Sequence, residues 1–297
     1  MKIGIVTDST CELNSKILEK YSIEIVPLTI HFGEETYKDG QELSTEEFYN
    51  KLLKSKENPN TSMPSPGLFE KTYNNMLENY DHLVSIHLSK ELSGTYKSAR
   101  LAAKKFNGKI TVLDSGSISS GLGMLTLLIA KMIEKGEKID SIVETVKKAK
   151  NNLYLYFTVS DLTYLEQGGR IGKASSLIGS LFKINPIMSL NTKTGIVEPV
   201  SKKRGTSRTQ KEMINQINKK IKENQNCWLG FSHGKRSKEI NEVKSKLLDK
   251  INNKNLKIKV FDSKVSATLG SHVGPSYMII LLTGDFLQLW LSFKIQT

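Results

Sequence analysis

Four hydroxyl-rich segments occur in the first half of the chain where a strand-like run gives way to a helix-like one. They are Asp8-Ser9-Thr10, Thr61-Ser62-Met63-Pro64-Ser65-Pro66, Leu92-Ser93-Gly94-Thr95 and Asp114-Ser115-Gly116-Ser117. A helix start presents unpaired N–H groups and the positive end of the helix dipole, and a Ser or Thr adds an O–H donor. Any one junction is more often a simple N-cap. Four of them together favour a site for a small anion.

The sequence contains no complete motif for nucleotide binding, for a disulfide framework or for a zinc site. The run Gly168-Gly169-Arg170-Ile171-Gly172-Lys173 has neither the spacing nor the hydroxyl of a P-loop, and no third glycine completes Gly121-Leu122-Gly123 as a dinucleotide fingerprint. Two cysteines, Cys11 and Cys227, are too few for a disulfide framework or a four-ligand zinc site. We therefore expect no catalytic residue, no metal and no cofactor in this chain.

The elements that must position the hydroxyl segments alternate between strand and helix. Strand patterns at 2–7, 82–88 and 109–113 are each followed by a helix pattern, which predicts a mostly parallel sheet flanked by helices. The second half has helix patterns near 161–182, a hairpin pattern at 184–201, and then further helices and strands. We predict an α/β fold with an N-terminal domain at 1–160 and a C-terminal α/β domain with mixed or antiparallel pairing at 161–297.

The helix predicted after residue 118 is apolar around most of its circumference. Residues 115–130 contain no charged side chain. Burial in the core is the ordinary fate of such a helix. The alternative is that Leu122, Leu125 and Leu128 line a tunnel for an apolar ligand whose anionic head contacts the hydroxyl groups. Both interpretations stay open at this point.

The net charge of +13 lies entirely in the second half. Residues 1–150 carry 20 basic and 20 acidic side chains, whereas 151–297 carry 23 and 10. Such a field favours an acidic partner or a transient contact with an anionic membrane. Only five of the 43 basic residues are arginines, and no basic helix is interleaved with aromatic residues, which argues against nucleic acid. The start at Met1-Lys2 without a secretory signal, together with the two cysteines, predicts the cytoplasm.

Six motifs, in their order and spacing across about 1–275, resemble the DegV family of bacterial fatty-acid-binding proteins. They are Asp8-Ser9-Thr10, Thr61-Ser62-Met63-Pro64-Ser65-Pro66, Leu92-Ser93-Gly94-Thr95-Tyr96-Lys97-Ser98-Ala99, Leu113-Asp114-Ser115, Tyr164-Leu165-Glu166-Gln167-Gly168-Gly169-Arg170-Ile171 and His272-Val273-Gly274-Pro275. Each motif alone is weak, but together they are specific. The resemblance implies two α/β domains with a long-chain fatty acid buried in a tunnel between them.

The resemblance also implies roles for individual residues. Thr61 and Ser93 would hold the carboxylate of the fatty acid. The wider ligand site would comprise Thr61, Ser62, Ser93, Gly94, Thr95 and His272. Met63 stands where glutamine is frequent in the family, and its deformable side chain would line the acyl chain. After Pro275 the chain departs from the family pattern, because Ser276 replaces a glycine and the tail 277–297 is atypical.

Some members of the family are the binding subunit of a two-part fatty acid kinase, whose partner holds ATP and converts the bound acid to an acyl phosphate. The resemblance implies that Arg170 and Arg204 contact that partner or the phosphate. A structural salt bridge or loop cap is the alternative for each arginine. Two other functions stay open: an enzyme for a small phosphorylated or carbonyl substrate at the same sheet edge, and a nucleic-acid-binding protein.

Overall fold

Three β-sheets organise the chain in the computed structural model, which describes residues 1–55, 57–177, 184–223, 225–254 and 256–290. The strands are β1 (Ile3–Asp8), β2 (Ile23–Val26), β3 (Thr29–Phe32), β4 (Glu35–Lys38), β5 (Asn60–Ser62), β6 (His82–His87), β7 (Ile110–Asp114), β8 (Leu153–Val159), β9 (Asn185–Asn191), β10 (Ile196–Lys203), β11 (Asn226–His233), β12 (Lys257–Lys264) and β13 (Ser276–Thr283). The helices are α1 (Ser15–Lys20), α2 (Thr45–Leu52), α3 (Pro66–Leu77), α4 (Thr95–Ala103), α5 (Ser119–Glu134), α6 (Ile139–Lys150), α7 (Thr163–Gln167), α8 (Thr206–Asn218), α9 (Ser237–Ile251) and α10 (Ala267–Val273).

The first sheet is parallel, as its alternating pattern predicts. Its strand order is β2-β1-β6-β7, and every neighbouring pair is parallel. Parallel strands need crossover connections, which are supplied here by α1, α3 and α4 with their loops. The carboxyl ends of β1, β6 and β7 therefore lie at one edge, where three of the four hydroxyl segments begin.

The second sheet is mixed, with strand order β10-β9-β8-β13-β11-β12. Only β11 and β12 pair in parallel, and the predicted hairpin is the antiparallel pair β9 and β10. Residues 276–283, which follow Pro275, form β13, a buried strand between β8 and β11. Strand β8 belongs to this sheet although it precedes residue 160. The division into domains at that residue stays a prediction.

The third sheet is small and antiparallel, with strand order β4-β3-β5. It carries Thr61 on a three-residue strand that pairs with β3. The helices predicted near 161–182 are α7 and a 3₁₀ turn at Gly172–Leu177, while positions 178–182 lie outside the described residues. Residues 291–297 of the tail also lie outside them.

Helix α5 lies between the two larger sheets. It packs on β1 and β6 of the first sheet and on β11 and β13 of the second. Fourteen of its sixteen residues are buried, so its uniformly apolar surface faces protein on every side. Within the described parts of the chain, no helix has the length and apolar character needed to cross a membrane.

Candidate functional site

A cavity lies between the first sheet, the second sheet and α10, and the space free of protein atoms there, including its opening to solvent, is about 730 Å³. Most of its wall is apolar and comes from separate parts of the chain, including Leu28, Leu88, Leu92, Phe157, Leu165 and Leu269. Phe157 belongs to β8, whereas Leu88 follows β6, so both halves of the chain contribute to the cavity.

Thr61 and His272 meet at the cavity wall although 211 positions separate them in sequence. The Oγ1 of Thr61 lies 2.7 Å from the Nε2 of His272. Thr61 faces the cavity because β5 is paired with β3, which fixes the side of the strand on which its side chain lies. His272 is in the last turn of α10. The hydrogen bond joins the small sheet to the second half.

His272 is uncharged near neutral pH. Burial lowers the pKa of His272 to about 4, and the positive charge of Arg170 adds to that effect. The Nδ1 of His272 has no hydrogen-bond partner among the described residues. Arg170 also lines the cavity, whose described lining contains no carboxylate. The charge that faces a ligand at this wall is therefore the guanidinium.

Two backbone carbonyl groups hold Arg170 in place. Its Nε donates to the carbonyl oxygen of Leu92 at 3.0 Å, and its Nη1 donates to that of Gly168 at 2.6 Å. Gly168 also permits the close approach of His272, because a Cβ at this glycine would lie 2.3 Å from Nδ1. The guanidinium is thus fixed beside the imidazole, with donors left for a ligand.

Ser93 stands at the start of α4. Its Oγ accepts the backbone N–H of Thr95 at 3.3 Å and lies 2.9 Å from the Oγ1 of Thr95. Gly94 is the N-cap, and a Cβ there would lie 2.2 Å from the Sδ of Met63. Glycine therefore allows Met63, which is 51% exposed, to reach over the helix start and line the cavity.

Five of the predicted residues line the cavity at its polar end: Thr61, Met63, Ser93, Gly94 and His272. Arg170 joins them, so it lies in the cavity wall rather than on a separate docking face. Thr95 is fully buried and contacts Ser93 instead of the cavity. It is a positioning residue for the serine.

Ser62 does not line the cavity, which corrects its predicted place in the ligand site. Successive side chains on a strand point to opposite faces. Since Thr61 of β5 faces the cavity, Ser62 faces away from it, and its Oγ lies 2.8 Å from the Nε2 of His31.

The predicted lining by Leu122, Leu125 and Leu128 also needs correction. All three are completely buried in the main hydrophobic cluster and are absent from the cavity wall. Helix α5 is enclosed by both sheets, and only Ile118, just before its first residue, reaches the cavity. The position of the apolar helix fits burial in the core and not the lining of a ligand tunnel.

Arg204 is exposed on the loop between β10 and α8, and it does not line the cavity. Its predicted contact with a partner stays a prediction. Gly205 follows it with φ of 78°, a conformation that favours glycine, and forms the N-cap of α8 without a side-chain bond. Arg170 and Arg204 thus occupy different environments, one in the cavity wall and one at the surface.

The sequence did not identify most of the apolar wall or Thr268. Leu28, Phe157, Leu165 and Thr268 occur in ordinary strand, loop or helix patterns, and no local signal separates a cavity residue from a core residue. Only the tertiary arrangement of the two sheets reveals their place.

A buried polar chain also escaped the sequence analysis. The Oδ2 of Asp8 lies 3.1 Å from His87, whose Nε2 lies 2.7 Å from Ser85, which in turn contacts Tyr73. The order carboxylate, imidazole, hydroxyl resembles a catalytic triad. All four side chains are fully buried, and the cavity wall contains none of them. They tie β1 to β6. No metal-binding cluster of three or more His, Cys, Asp or Glu was found in the described segments.

The fold and the cavity define an α/β protein with a largely apolar internal site that is polar and cationic at one wall. The sequence profile described as "Uncharacterised protein, DegV family" matches residues 2–283. The chain belongs to the DegV family.

Relatives and solved structures agree with this assignment. A DegV domain-containing protein of Clostridium acetobutylicum is 34% identical over 285 residues, covering 95% of this chain and 98% of the relative. Protein DegV of Bacillus subtilis is 31% identical over 276 residues, covering 92% and 96%.

Two solved structures are similar over nearly the whole chain. The DegV family protein of Thermus thermophilus, whose structure is described by its fatty acid binding, has a TM-score of 0.90 and 28% identity, covering 96% of this chain and 100% of that one. DegV of Bacillus subtilis, described as a fatty acid binding protein, has a TM-score of 0.82 and 29% identity over the same shares. The α/β fold with a parallel and a mixed sheet is therefore confirmed.

Proposed function

We propose that this protein binds a long-chain fatty acid in the cavity, with the carboxylate at Thr61 and Ser93 and the acyl chain along the apolar wall. One observation carries the proposal: polar groups line one part of a mostly apolar cavity. They are the hydroxyl groups of Thr61 and Ser93, the guanidinium of Arg170 and the neutral imidazole of His272. An amphipathic acid matches both parts of that wall. The solved relatives from Thermus thermophilus and Bacillus subtilis are described as binding fatty acids.

The energetics favour a long chain. Burial of methylene groups contributes about 0.8 kcal/mol each, so a dozen contribute on the order of 10 kcal/mol before the entropy losses of binding. A buried carboxylate is unfavourable unless it receives hydrogen bonds. Thr61 and Ser93 offer hydroxyl donors, and the Arg170 guanidinium, held by Leu92 and Gly168, offers the opposite charge.

The binding role extends to a partner. In this proposal the protein is the non-catalytic subunit of a cytoplasmic fatty acid kinase and has no resident cofactor. A carboxylate oxygen of the bound acid attacks the γ-phosphorus of ATP held by the partner. The new O–P bond forms as the bond from phosphorus to the ADP oxygen breaks, which yields acyl phosphate and ADP. Arg204, exposed before α8, is the proposed contact with the partner.

The charge distribution supports an anionic partner surface. The whole excess of 13 positive charges lies in residues 151–297. A field of this sign attracts an acidic protein and also the anionic face of a membrane, from which a fatty acid can be taken up. Both contacts belong to the proposal, with the membrane contact transient.

The test of the head-group site compares wild type with Thr61→Val, Ser93→Ala and the double variant. After removal of bound lipid, each protein is titrated with hexadecanoic acid, and thermal melts are recorded on the same samples. Each substitution removes a hydrogen bond to a charged group, which contributes roughly 1.5–3 kcal/mol, so affinity falls about tenfold or more per site. The effect of each substitution on the melting temperature should be small compared with its effect on affinity.

Ser62→Ala is the matched control, because this hydroxyl neighbours Thr61 yet contacts His31 instead of the cavity. It should leave affinity unchanged. Unchanged affinity in the double variant refutes the head-group assignment. Binding of a small phosphorylated compound with no binding of hexadecanoic acid supports the alternative, an enzyme for such a substrate at the same edge.

A further inference from the structure

Met63 is accessible both from solvent and from the cavity. The residue is 51% exposed and also lines the cavity together with Ser93 and Gly94. All eight methionines of the chain belong to its described part. Met1, at the N-terminus and outside the cavity wall, is the other exposed one. The remaining methionines are buried, with at most 9% of their surface exposed: Met76, Met124, Met132, Met188, Met213 and Met278.

The two thiols of the chain are poor competitors for an oxidant. Cys11 and Cys227 are both buried. Burial raises the pKa of the Cys11 thiol far above its usual range and that of Cys227 to about 12. A thiol reacts with a peroxide as its thiolate and only where the oxidant can reach it. Met63 therefore combines, alone among the sulfur-bearing side chains, an exposed position with a place in the cavity wall.

The sulfur of Met63 packs on the start of α4. A Cβ at Gly94 would lie 2.2 Å from the Sδ of Met63, so the thioether occupies the space that the glycine leaves free. Gly94 is the N-cap of α4, and Ser93 precedes it. In the proposed fatty-acid site the hydroxyl of Ser93 donates to the carboxylate. An oxygen atom added to this sulfur therefore enters the head-group region.

We propose that Met63 is a modification site for peroxide and that its oxidation to the sulfoxide weakens fatty-acid binding. The inference rests on the proposed fatty-acid site and adds a means of regulating it. In the step, a lone pair of the Sδ attacks one oxygen of hydrogen peroxide, and the S–O bond forms as the O–O bond breaks. The proton of the attacked oxygen passes to the departing hydroxide, which leaves as water. The sulfur is oxidised by two electrons and the peroxide is reduced.

A sulfoxide opposes a carboxylate at this position. Oxidation turns the apolar thioether into a polar group whose oxygen accepts hydrogen bonds and donates none. The hydroxyl of Ser93 has one proton, so it cannot donate to the sulfoxide and to the ligand at the same time. A buried carboxylate that loses a donor is unfavourable. Loss of one hydrogen bond to a charged group corresponds to binding that is about tenfold weaker or more.

The test compares wild type with Met63→Leu, which removes the sulfur and keeps a side chain of similar size. After removal of bound lipid, each protein is titrated calorimetrically with hexadecanoic acid before and after treatment with hydrogen peroxide, and peptide mass spectrometry locates each added oxygen. Wild type should gain an oxygen at Met63 and bind about tenfold more weakly or worse. Met63→Leu, whatever its starting affinity, should bind equally before and after treatment. It retains Met1, so it also controls for oxidation outside the cavity.

Reversal gives a second measurement. Treatment of the oxidised wild type with a methionine sulfoxide reductase should restore the original affinity, because the enzyme converts the sulfoxide back to the thioether. Thermal melts of the same samples should show that the oxidised protein stays folded. A fall in affinity that follows unfolding, or one that the reductase does not reverse, refutes the inference.

The outcomes separate this inference from the proposed function. Binding by untreated protein that is unchanged after oxidation of Met63 refutes the inference and leaves the fatty-acid site intact. Oxidation of the buried methionines before Met63 refutes it as well, and so does an equal loss of affinity in treated Met63→Leu. If hexadecanoic acid binds neither untreated protein, both the proposed function and the inference are wrong.

Discussion

His272 should make the folded protein less stable as the pH falls. Its pKa is lowered from an ordinary value near 6.5 to about 4, because burial and Arg170 disfavour the charged form. The unfolded chain therefore binds a proton that the folded chain refuses between these values. Linkage over pH 7 to 5 predicts a loss of about 2 kcal/mol in the free energy of unfolding.

Glu12 should act in the opposite direction. Burial raises its pKa from 4.5 to about 7, against the hydrogen bonds from Ser119, Ser263 and the backbone of Ser266. Here the folded chain binds the proton more tightly than the unfolded chain, so the stabilising effect is complete below pH 4.5 and is lost as the pH rises through 7. Acidification from pH 7 to 5 adds about 2 kcal/mol.

Urea unfolding at pH 7 and pH 5 separates the two effects in wild type, His272→Gln and Glu12→Gln. On acidification from pH 7 to pH 5, His272→Gln should gain about 2 kcal/mol in unfolding free energy relative to wild type, because it lacks the destabilising group. Glu12→Gln should lose about 2 kcal/mol relative to wild type, because it lacks the stabilising one. Opposite signs are the essential result. If both variants shift in the same direction, or neither differs from wild type, the assigned burial of these two groups is refuted.

Leu125→Trp should lower the unfolding free energy by about 1–3 kcal/mol, because it overfills the core around α5, and it should leave the preferred chain length in fatty-acid titrations unchanged. Ile118→Trp, which narrows the cavity, should shift the preference to shorter acids. Gly168→Ala should weaken fatty-acid binding in the same titration, because its Cβ would lie 2.3 Å from the Nδ1 of His272; unchanged affinity would contradict this. Arg204→Ala should reduce acyl-phosphate formation in a reconstituted kinase assay while leaving fatty-acid binding intact. Arg204→Lys should retain only part of the wild-type activity, because lysine cannot bind an anion through two parallel donors. Full activity in Arg204→Ala removes this residue from the functional site.

Local pattern was sufficient for the first sheet and for one part of the polar end of the cavity. Short apolar runs followed by Ser, Thr and Gly specify strands that end at helix starts, so Ser93 and Gly94 could be assigned to the edge of a parallel sheet without knowledge of the tertiary structure. Thr61 and His272 required the family motifs, because no short-range rule connects residues 211 positions apart.

The faces of short or fully buried elements could not be predicted. On the three-residue β5, alternation separates Thr61 from Ser62, but the strand itself is too short to recognise before its partner β3 is known. On α5, a surface that is apolar all round specifies burial and carries no information on which side adjoins a cavity. The same limit applies to Phe157, which is equally apolar in a core or in a ligand site.

Native mass spectrometry of the protein purified from cells tests the central claim most directly. We expect an added mass equal to one long-chain acid of about 14–18 carbons, because each buried methylene group contributes about 0.8 kcal/mol against the loss of translational and rotational freedom on binding. The added mass should be reduced in protein that carries both Thr61→Val and Ser93→Ala. Protein without any adduct that also fails to take up added fatty acid, or an adduct with the mass of a sugar phosphate, would contradict the account.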